Sequence, residues 1–494
     1  MALGVPPDVR EIVMRVCARQ DVLDACRHRD LGTVIAVFGA HGLTQGRLAD
    51  LTGISQGRLS EYKTRKRAPS ASSTFEAFAE GVGMPPAARE ALGLAPDRSP
   101  VSIDRQQPGQ PVPDVGLLFP DTAAEATGNL TWLWRSDLSD EPALQGRIDP
   151  GAWNDASLRW LVSPGRQPAS ELASGVRIGM ADIARFRTTV EMFVQLDDRF
   201  GGGHARTPLI QYLSTDAERL LHGRYTEAVG RALFSATAEA TLLAAWMSYD
   251  SMPGGALAQR YFIQALALAQ AGNDRLLGAS VLDAMSHQAT YTGRYGEAAN
   301  LARAAATGAS GRATATLTSH FHAMEARALA RLGDAKGCDH ALAEAAREFE
   351  RRSPEDDPSW IRYFDESELS AEFGHCMRDL GRATDAAQYA SRSLLAVDQT
   401  TFLRSDFFVT IVLADAHLVA GDLEPACSVA LKALTAGEQI RSARCVNYLR
   451  EFRQHLAAVG NSRLLAEFHE QAASTRLWRI ASQSKEAIPS ILSC

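Results

Sequence analysis

Six basic side chains crowd the stretch between Leu43 and Ser70: Arg47, Arg58, Lys63, Arg65, Lys66 and Arg67. Asp50 and Glu61 are the acidic residues there, so the stretch carries a surplus of four positive charges in a chain whose net charge is −7. Guanidinium and ammonium groups at this density on an acidic protein form an electrostatic footprint for phosphate. The bland alternative is a helical hairpin with a solvated basic face. Spacing decides between them. Gln45, Ala49, Gly53, Ile54 and Leu59 fall where a helix-turn-helix needs them. Ala49 is small enough for two helices to cross closely, and Gly53 can take a left-handed backbone that turns the chain sharply. Ile54 and Leu59, extended by Leu48, Leu51 and Tyr62, give the second helix an apolar side to pack back with. Two helices held at a steep angle by a short Gly-containing turn are the unit that lays a helix in the DNA major groove.

These residues resemble the DNA-binding domain of the lambda-repressor-like (XRE) family, over about Asp30–Leu94. The resemblance implies five helices. Arg29–Val34 would open the first, Thr44 and Gln45 the second, and Ser55 would cap the third, its oxygen accepting from a first-turn N–H. Phe75–Gly83 and Pro85–Leu94 would be the fourth and fifth. It also implies that Gln45 touches a phosphate and that Ser55, Gln56, Gly57 and Glu61 line the groove-facing side. The Gln56 amide can pair with an adenine edge in two places. Arg58 can pair with guanine or clamp a phosphate. Lys63, Arg65, Lys66 and Arg67 would hold the backbone, contacts that position without specifying sequence.

At 494 residues the chain is too long for one ordinary domain. It is 46% hydrophobic and 22% charged, an ordinary soluble composition. Its seven cysteines are scattered and never form a CysXXCys pair, which points to reduced thiols and a cytoplasmic location. No apolar run approaches the ~20 residues of a membrane span, and no secretion signal is visible.

Residues 1–29 read as a helical extension ahead of an expected DNA-binding domain over 30–95. Six prolines between Pro96 and Pro120 forbid a helix or central strand and mark 96–120 as a linker. The remainder is Ala- and Leu-rich with apolar residues recurring at three and four, a helical pattern. It divides into a cap or connecting region (121–215), a repeat region (216–475) and a tail (476–494). Trp132, Trp134, Trp153 and Trp160 cluster near its start and read as the end-cap of a core.

A second signal recurs from Leu220 onward. Gly223, Gly293, Gly333, Gly381 and Gly421 each precede an apolar or Tyr residue at plus two and a small residue at plus five. Their separations are 70, 40, 48 and 40 residues, with Ala265–Asp274 inside the long gap reading as the end of a second helix and Gly460 as a further turn. The pattern resembles the tetratricopeptide repeat, a helix pair of about 34 residues whose units stack into a superhelix. A generic helical-hairpin stack of the armadillo kind is the alternative. A tetratricopeptide superhelix implies a concave face that binds extended peptides or protein segments. Tyr291, Arg327, Tyr363, Glu368, His375 and Asn447 are the candidates for such contacts.

Other constellations lead nowhere. The glycines at 201–203 lack the Lys and preceding strand of a phosphate loop, so the stretch reads as a flexible connector. Cys338 with His340, and His375 beside Cys376, lack the second pair of a zinc site. No Ser-His-Asp elbow, Walker sequence or paired catalytic carboxylates stand out. The expectation is an all-α, non-enzymatic, cofactor-free protein: a helix-turn-helix head, a Pro-rich linker and a tetratricopeptide-like solenoid. It resembles the RRNPP group and the repeat-bearing XRE regulators of actinomycetes. That resemblance implies a cytoplasmic homodimer on palindromic double-stranded DNA, off the membrane, with a peptide or protein ligand in the groove. The alternative is a DNA-tethered scaffold whose repeats bind another protein.

Overall fold

The three-and-four apolar periodicity closes into helices throughout. A computed structural model describes residues 7–17, 19–69, 72–94, 115–139, 148–162, 176–251, 255–395, 403–460 and 462–483, with 141, 144 and 146. Among the described residues there is no strand, only an isolated bridge between Arg177 and Arg224. Nor, among them, is any helix long and apolar enough to cross a membrane. The chain divides into two units, Met1–Gly109 and Gln110–Cys494. Most of the expected linker, 95–114, lies outside the described residues. Residues 115–120 belong to the second unit and are docked there, with the Gln264 amide donating to Gly116 O at 3.0 Å and Leu118 O at 3.2 Å.

The first unit contains α1 (Pro7–Cys17), α2 (Gln20–Arg27), α3 (Leu31–Ala40), α4 (Gln45–Thr52), α5 (Gln56–Lys63), α6 (Ser72–Val82) and α7 (Pro86–Ala91). Val9, Val13, Val16, Val22 and Cys26 join Leu31, Phe38, Leu48, Leu59, Phe75 and Phe78 in one buried core, so the helices of 1–29 are part of it. Glycine permits two close approaches. A Cβ at Gly81 would overlap the Leu51 carbonyl, and one at Gly32 would overlap that of Tyr62. Thus α6 lies on the end of α4, and α3 on the end of α5. Burial pushes the Cys17 thiol up to about 12 and Cys26 up to about 11, which keeps both protonated and inert.

The second unit begins with α8 (Ala123–Leu138), α9 (Pro150–Val162), α10 (Met180–Phe200), α11 (Gly202–Tyr212) and α12 (Glu218–Leu221). A series of hairpins follows: α13 (Glu227–Ser251) with α14 (Ala256–Ala271), α15 (Arg275–Tyr291) with α16 (Tyr295–Gly308), and α17 (Ala315–Leu332) with α18 (Ala335–Glu350). Next come α19 (Glu366–Asp379) with α20 (Ala383–Leu395), and α21 (Leu403–Ala420) with α22 (Leu423–Ala436). The end is α23 (Ala443–Ala457), α24 (Arg463–Ala473) and α25 (Arg476–Ser482). Leu477 and Trp478 of α25 are buried, so the first part of the expected tail is structural, while 484–494 lie outside the described residues.

Gly293, Gly333, Gly381, Gly421 and Gly460 turn these pairs with φ between 72° and 87°. This left-handed backbone is open to glycine at no steric cost. Gly223 works differently: a Cβ there would strike Ile178. Every residue of α14 is buried, as befits a helix covered on all sides. Trp134, Trp153 and Trp160 are fully buried in the same core. Trp160 fits because Gly278 and Gly308 leave room for its ring, and the Arg275 guanidinium lies 3.5 Å above it.

Candidate functional site

In the first unit, the Thr44 hydroxyl accepts from Arg47 N at 3.3 Å and starts α4. Gly53, at φ 67°, ends it, its N–H donating to Ala49 O at 2.9 Å. The chain then enters α5, which Leu59 and Tyr62 anchor in the core. That anchoring turns the other side outward. Ser55, Gln56, Gly57, Arg58, Glu61 and Lys63 are exposed, as are Lys66 and Arg67 beyond the helix end, while Gln45 is half-buried at the start of α4.

One expectation needs correction here. Ser55 stands at the N-cap position, but its side chain makes no cap bond. Its hydroxyl and the first-turn N–H groups of α5 are therefore not used on each other. Arg65 is exposed like the other cations and also makes contacts within the chain. At φ 57° its guanidinium turns back to Asp30 at 2.9 Å and the Thr33 hydroxyl at 3.2 Å. Asp30 caps α3 through Thr33 N at 3.1 Å. Burial alone would raise the Asp30 carboxyl, but the bonds from Thr33 and Arg65 hold it below its usual value. Arg65 therefore ties α5 to α3. Arg58, Lys63, Lys66 and Arg67 are exposed beside it. A Cβ at Gly57 would meet nothing within 4 Å, so the outer side of α5 is flat there.

In the second unit, the helices α13, α15, α17, α19 and α21 meet α23 through polar side chains. Asp250 of α13 is the hub. It is fully buried, and it accepts from Arg444 Nε at 2.7 Å, Ser442 Oγ at 2.8 Å, Gly202 N at 3.0 Å and Arg404 Nη1 at 3.3 Å. Burial alone would raise its carboxyl, yet Arg444 and Arg404 hold it below the usual range. The glycine run expected to be a flexible connector is thus a packed junction. A Cβ at Gly202 would overlap Met247, and Gly203 N donates to Arg441 O at 3.1 Å. An anion does sit at this glycine-rich helix start, and it is the chain's own Asp250.

Five of the six groove candidates already have partners within the chain. Asn447 donates to the Tyr291 hydroxyl. Arg327 pairs with Glu372 at 2.6 Å and reaches the Tyr448 hydroxyl at 3.5 Å, and His375 Nδ1 lies 3.3 Å from that same hydroxyl. Tyr363, 47% exposed, bonds His320 Nε2 at 3.2 Å, and His320 in turn meets Asp283 at 2.7 Å. Glu368, half-buried, has burial and the nearby Glu372 and Asp365 carboxylates raising its pKa to about 8. The structure therefore brings Tyr291, Arg327, His375 and Asn447 together around α23, with Tyr363 and Glu368 beside His320. Sequence reasoning missed Asp250, Arg404, Arg444 and Tyr448. Charged residues embedded in apolar helical stretches were the available signal, since a charge is buried only when paired.

Comparison with protein-family models, with curated proteins and with solved structures finds no match.

Proposed function

We propose that this chain is a DNA-binding transcription regulator: a helix-turn-helix head of the lambda-repressor-like kind, joined to a tetratricopeptide-like repeat body that senses a ligand. One observation carries the reading. The side of α5 bearing Ser55, Gln56, Gly57, Arg58 and Glu61 is exposed, while Leu59 and Tyr62 hold the helix from behind. Gln56 supplies an amide for an adenine edge and Arg58 a fork for guanine or phosphate. Lys63, Lys66 and Arg67 supply phosphate contacts that fix register. The regulator works in the cytoplasm as a homodimer, placing two recognition helices on a palindromic site.

The body's reading is narrower than an open peptide groove. With Tyr291, Arg327, His375 and Asn447 engaged through α23, an extended peptide would have to displace that helix. A ligand that fits beside α23 needs no displacement, and it shifts the conformational balance only by its differential affinity for the two states. The test is DNA affinity measured against salt. Phosphate contacts from Arg58, Lys63, Lys66 and Arg67 give a log–log slope of about −4 per bound chain. Negligible, salt-independent affinity would refute the reading.

A further inference from the structure

A cleft of about 290 Å³ opens between α15, α17 and α23, lined among others by Thr290, Tyr291, Arg327, Arg444, Tyr448 and Arg450. Its cations differ in how they are neutralised. Arg327 is held by Glu372 at 2.6 Å and Arg444 by Asp250 at 2.7 Å. Arg331 is held by Asp379 at 2.8 Å and by Glu451, the carboxylate lining the cleft, at 3.4 Å. Arg450 has no such partner. Among the described residues it meets no carboxylate, and its guanidinium donates only to Asn447 Oδ1 at 3.1 Å and Gln483 O at 3.5 Å. Arg453, one turn further on, also meets none; it donates to the Ser482 hydroxyl and lies 4.8 Å from the Trp478 ring. Among the described residues, these two neighbouring guanidinia thus meet no anion.

Two of the lining residues also carry unmet hydrogen-bonding capacity. Among the described residues the Thr290 hydroxyl and Nε of Arg327 are buried without a partner. Thr290 is 8% exposed and Arg327 7%. An unpaired buried donor forfeits its hydration without compensation, so native chains rarely keep such groups idle. The space lies at the small end of the ~300–1,000 Å³ range of small-molecule sites, and it is too small for an extended peptide.

We propose that this cleft binds a small organic anion. Arg450 takes the carboxylate or phosphate, Thr290 and Arg327 meet polar groups of its body, and the rings of Tyr291 and Tyr448 flank it. Asn447, Tyr448 and Arg450 belong to α23 while the other contacts come from α15 and α17, so the ligand ties α23 to them. The inference deepens the sensory half of the function proposed above and does not depend on the DNA-binding half.

The test uses the full chain without DNA, with phenyl phosphate and benzoate as probes and phenol as the neutral control. Calorimetry and thermal melting should show saturable binding of at least one anion, tenfold or more above phenol; which anion binds separates phosphate from carboxylate. Arg450→Gln should weaken that binding at least tenfold, and Arg463→Gln, at an exposed position on α24, should not change it. Thr290→Val should weaken binding about threefold while leaving the unliganded melting temperature unchanged or higher, because it removes a buried unpartnered hydroxyl. A merely structural Thr290 would show the reverse: a lower unliganded melting temperature and unchanged affinity. That outcome, anion binding no tighter than phenol by the folded protein, or full affinity in Arg450→Gln overturns the proposal. Because no DNA is present, failure here leaves the DNA-binding reading standing.

Discussion

Asn447 on α23 donates its side-chain amide to the Tyr291 hydroxyl at the end of α15, 156 positions earlier in the chain. The bond closes α23 onto a helix remote from it in sequence. Removing the hydroxyl leaves the amide short of an acceptor in a half-buried site. Tyr291→Phe is expected to lower stability by about 1 kcal/mol. Urea denaturation of the full chain measures this, and an unchanged midpoint would show that the contact contributes nothing.

Asp250 is a stronger case. Its carboxylate neutralises Arg444, buried like itself, and the half-buried Arg404. Asp250→Ala leaves two guanidinia without that carboxylate, although Arg404 keeps Asp197 at 2.9 Å. Breaking a buried pair from one side costs about 3–5 kcal/mol. A loss below 1 kcal/mol in the same denaturation experiment would mean that water enters and screens the site.

Two glycines of the first unit respond to substitution with opposite signs. Gly53 sits at φ 67° with open space around it, so only its backbone demands glycine. Gly53→Ala should destabilise by about 1 kcal/mol or more. Gly57 lies within α5 with an ordinary backbone and nothing near a Cβ. Gly57→Ala should stabilise by about 1 kcal/mol, the helix-propensity difference. Thermal unfolding of both variants checks the opposite signs.

The exposed side of α5 makes a specific demand on DNA binding. Gln56→Ala is expected to cost about 1–3 kcal/mol on a preferred site and much less on random DNA. Lys66→Ala should weaken both alike and reduce the salt slope by about 1. Fluorescence anisotropy on paired oligonucleotides distinguishes them; equal losses on both DNAs for Gln56→Ala would remove its base-reading role.

What was legible in the sequence is what local chemistry dictates. Gly53, Gly293, Gly333, Gly381 and Gly421 announce turns because a left-handed backbone restricts the residue type at that one position. Leu59 and Tyr62 announce the inner side of α5 by their spacing. The polar interior was not legible, because its partners are far apart in the chain: Asp250 meets Arg444 across 194 positions and Arg404 across 154. Gly202 was misread for the same reason. Its role depends on Met247 and Asp250, and a glycine packed against a distant backbone looks, in sequence, like one in a loose connector. Nothing local to Arg65 reveals its bond to Asp30 either.

The cluster around His320 should give the stability a pH dependence opposite to that of ordinary ion pairs. Burial raises Glu368 to about 8 from its usual 4.5, helped by Glu372, Asp365 and Asp406 and opposed by His320. Burial opposes the charged form of His320, but Asp283, Glu372 and Glu368 together raise it above its usual value. Both groups bind protons more readily folded than unfolded. Glu368 is then fully stabilised below its unfolded value, and that contribution fades as pH rises from about 4.5 to about 8. The His320 contribution is present below its unfolded value and fades as pH climbs through the raised folded one. Asp250 and Asp379, held low by their arginines, act the other way and lose stability only as pH falls below the usual carboxylate range. Alone, these groups favour the folded state most near about pH 5 and less toward pH 8. His287 and His375, which burial and nearby arginines hold neutral, act the other way and add stability as pH rises toward the ordinary histidine value. Glu368→Gln, which cannot ionise, should therefore remove a contribution that declines between about pH 6 and 8, seen against the parent chain. Denaturation midpoints of both chains across this range decide it: an unchanged slope in Glu368→Gln would show that Glu368 titrates as if solvated.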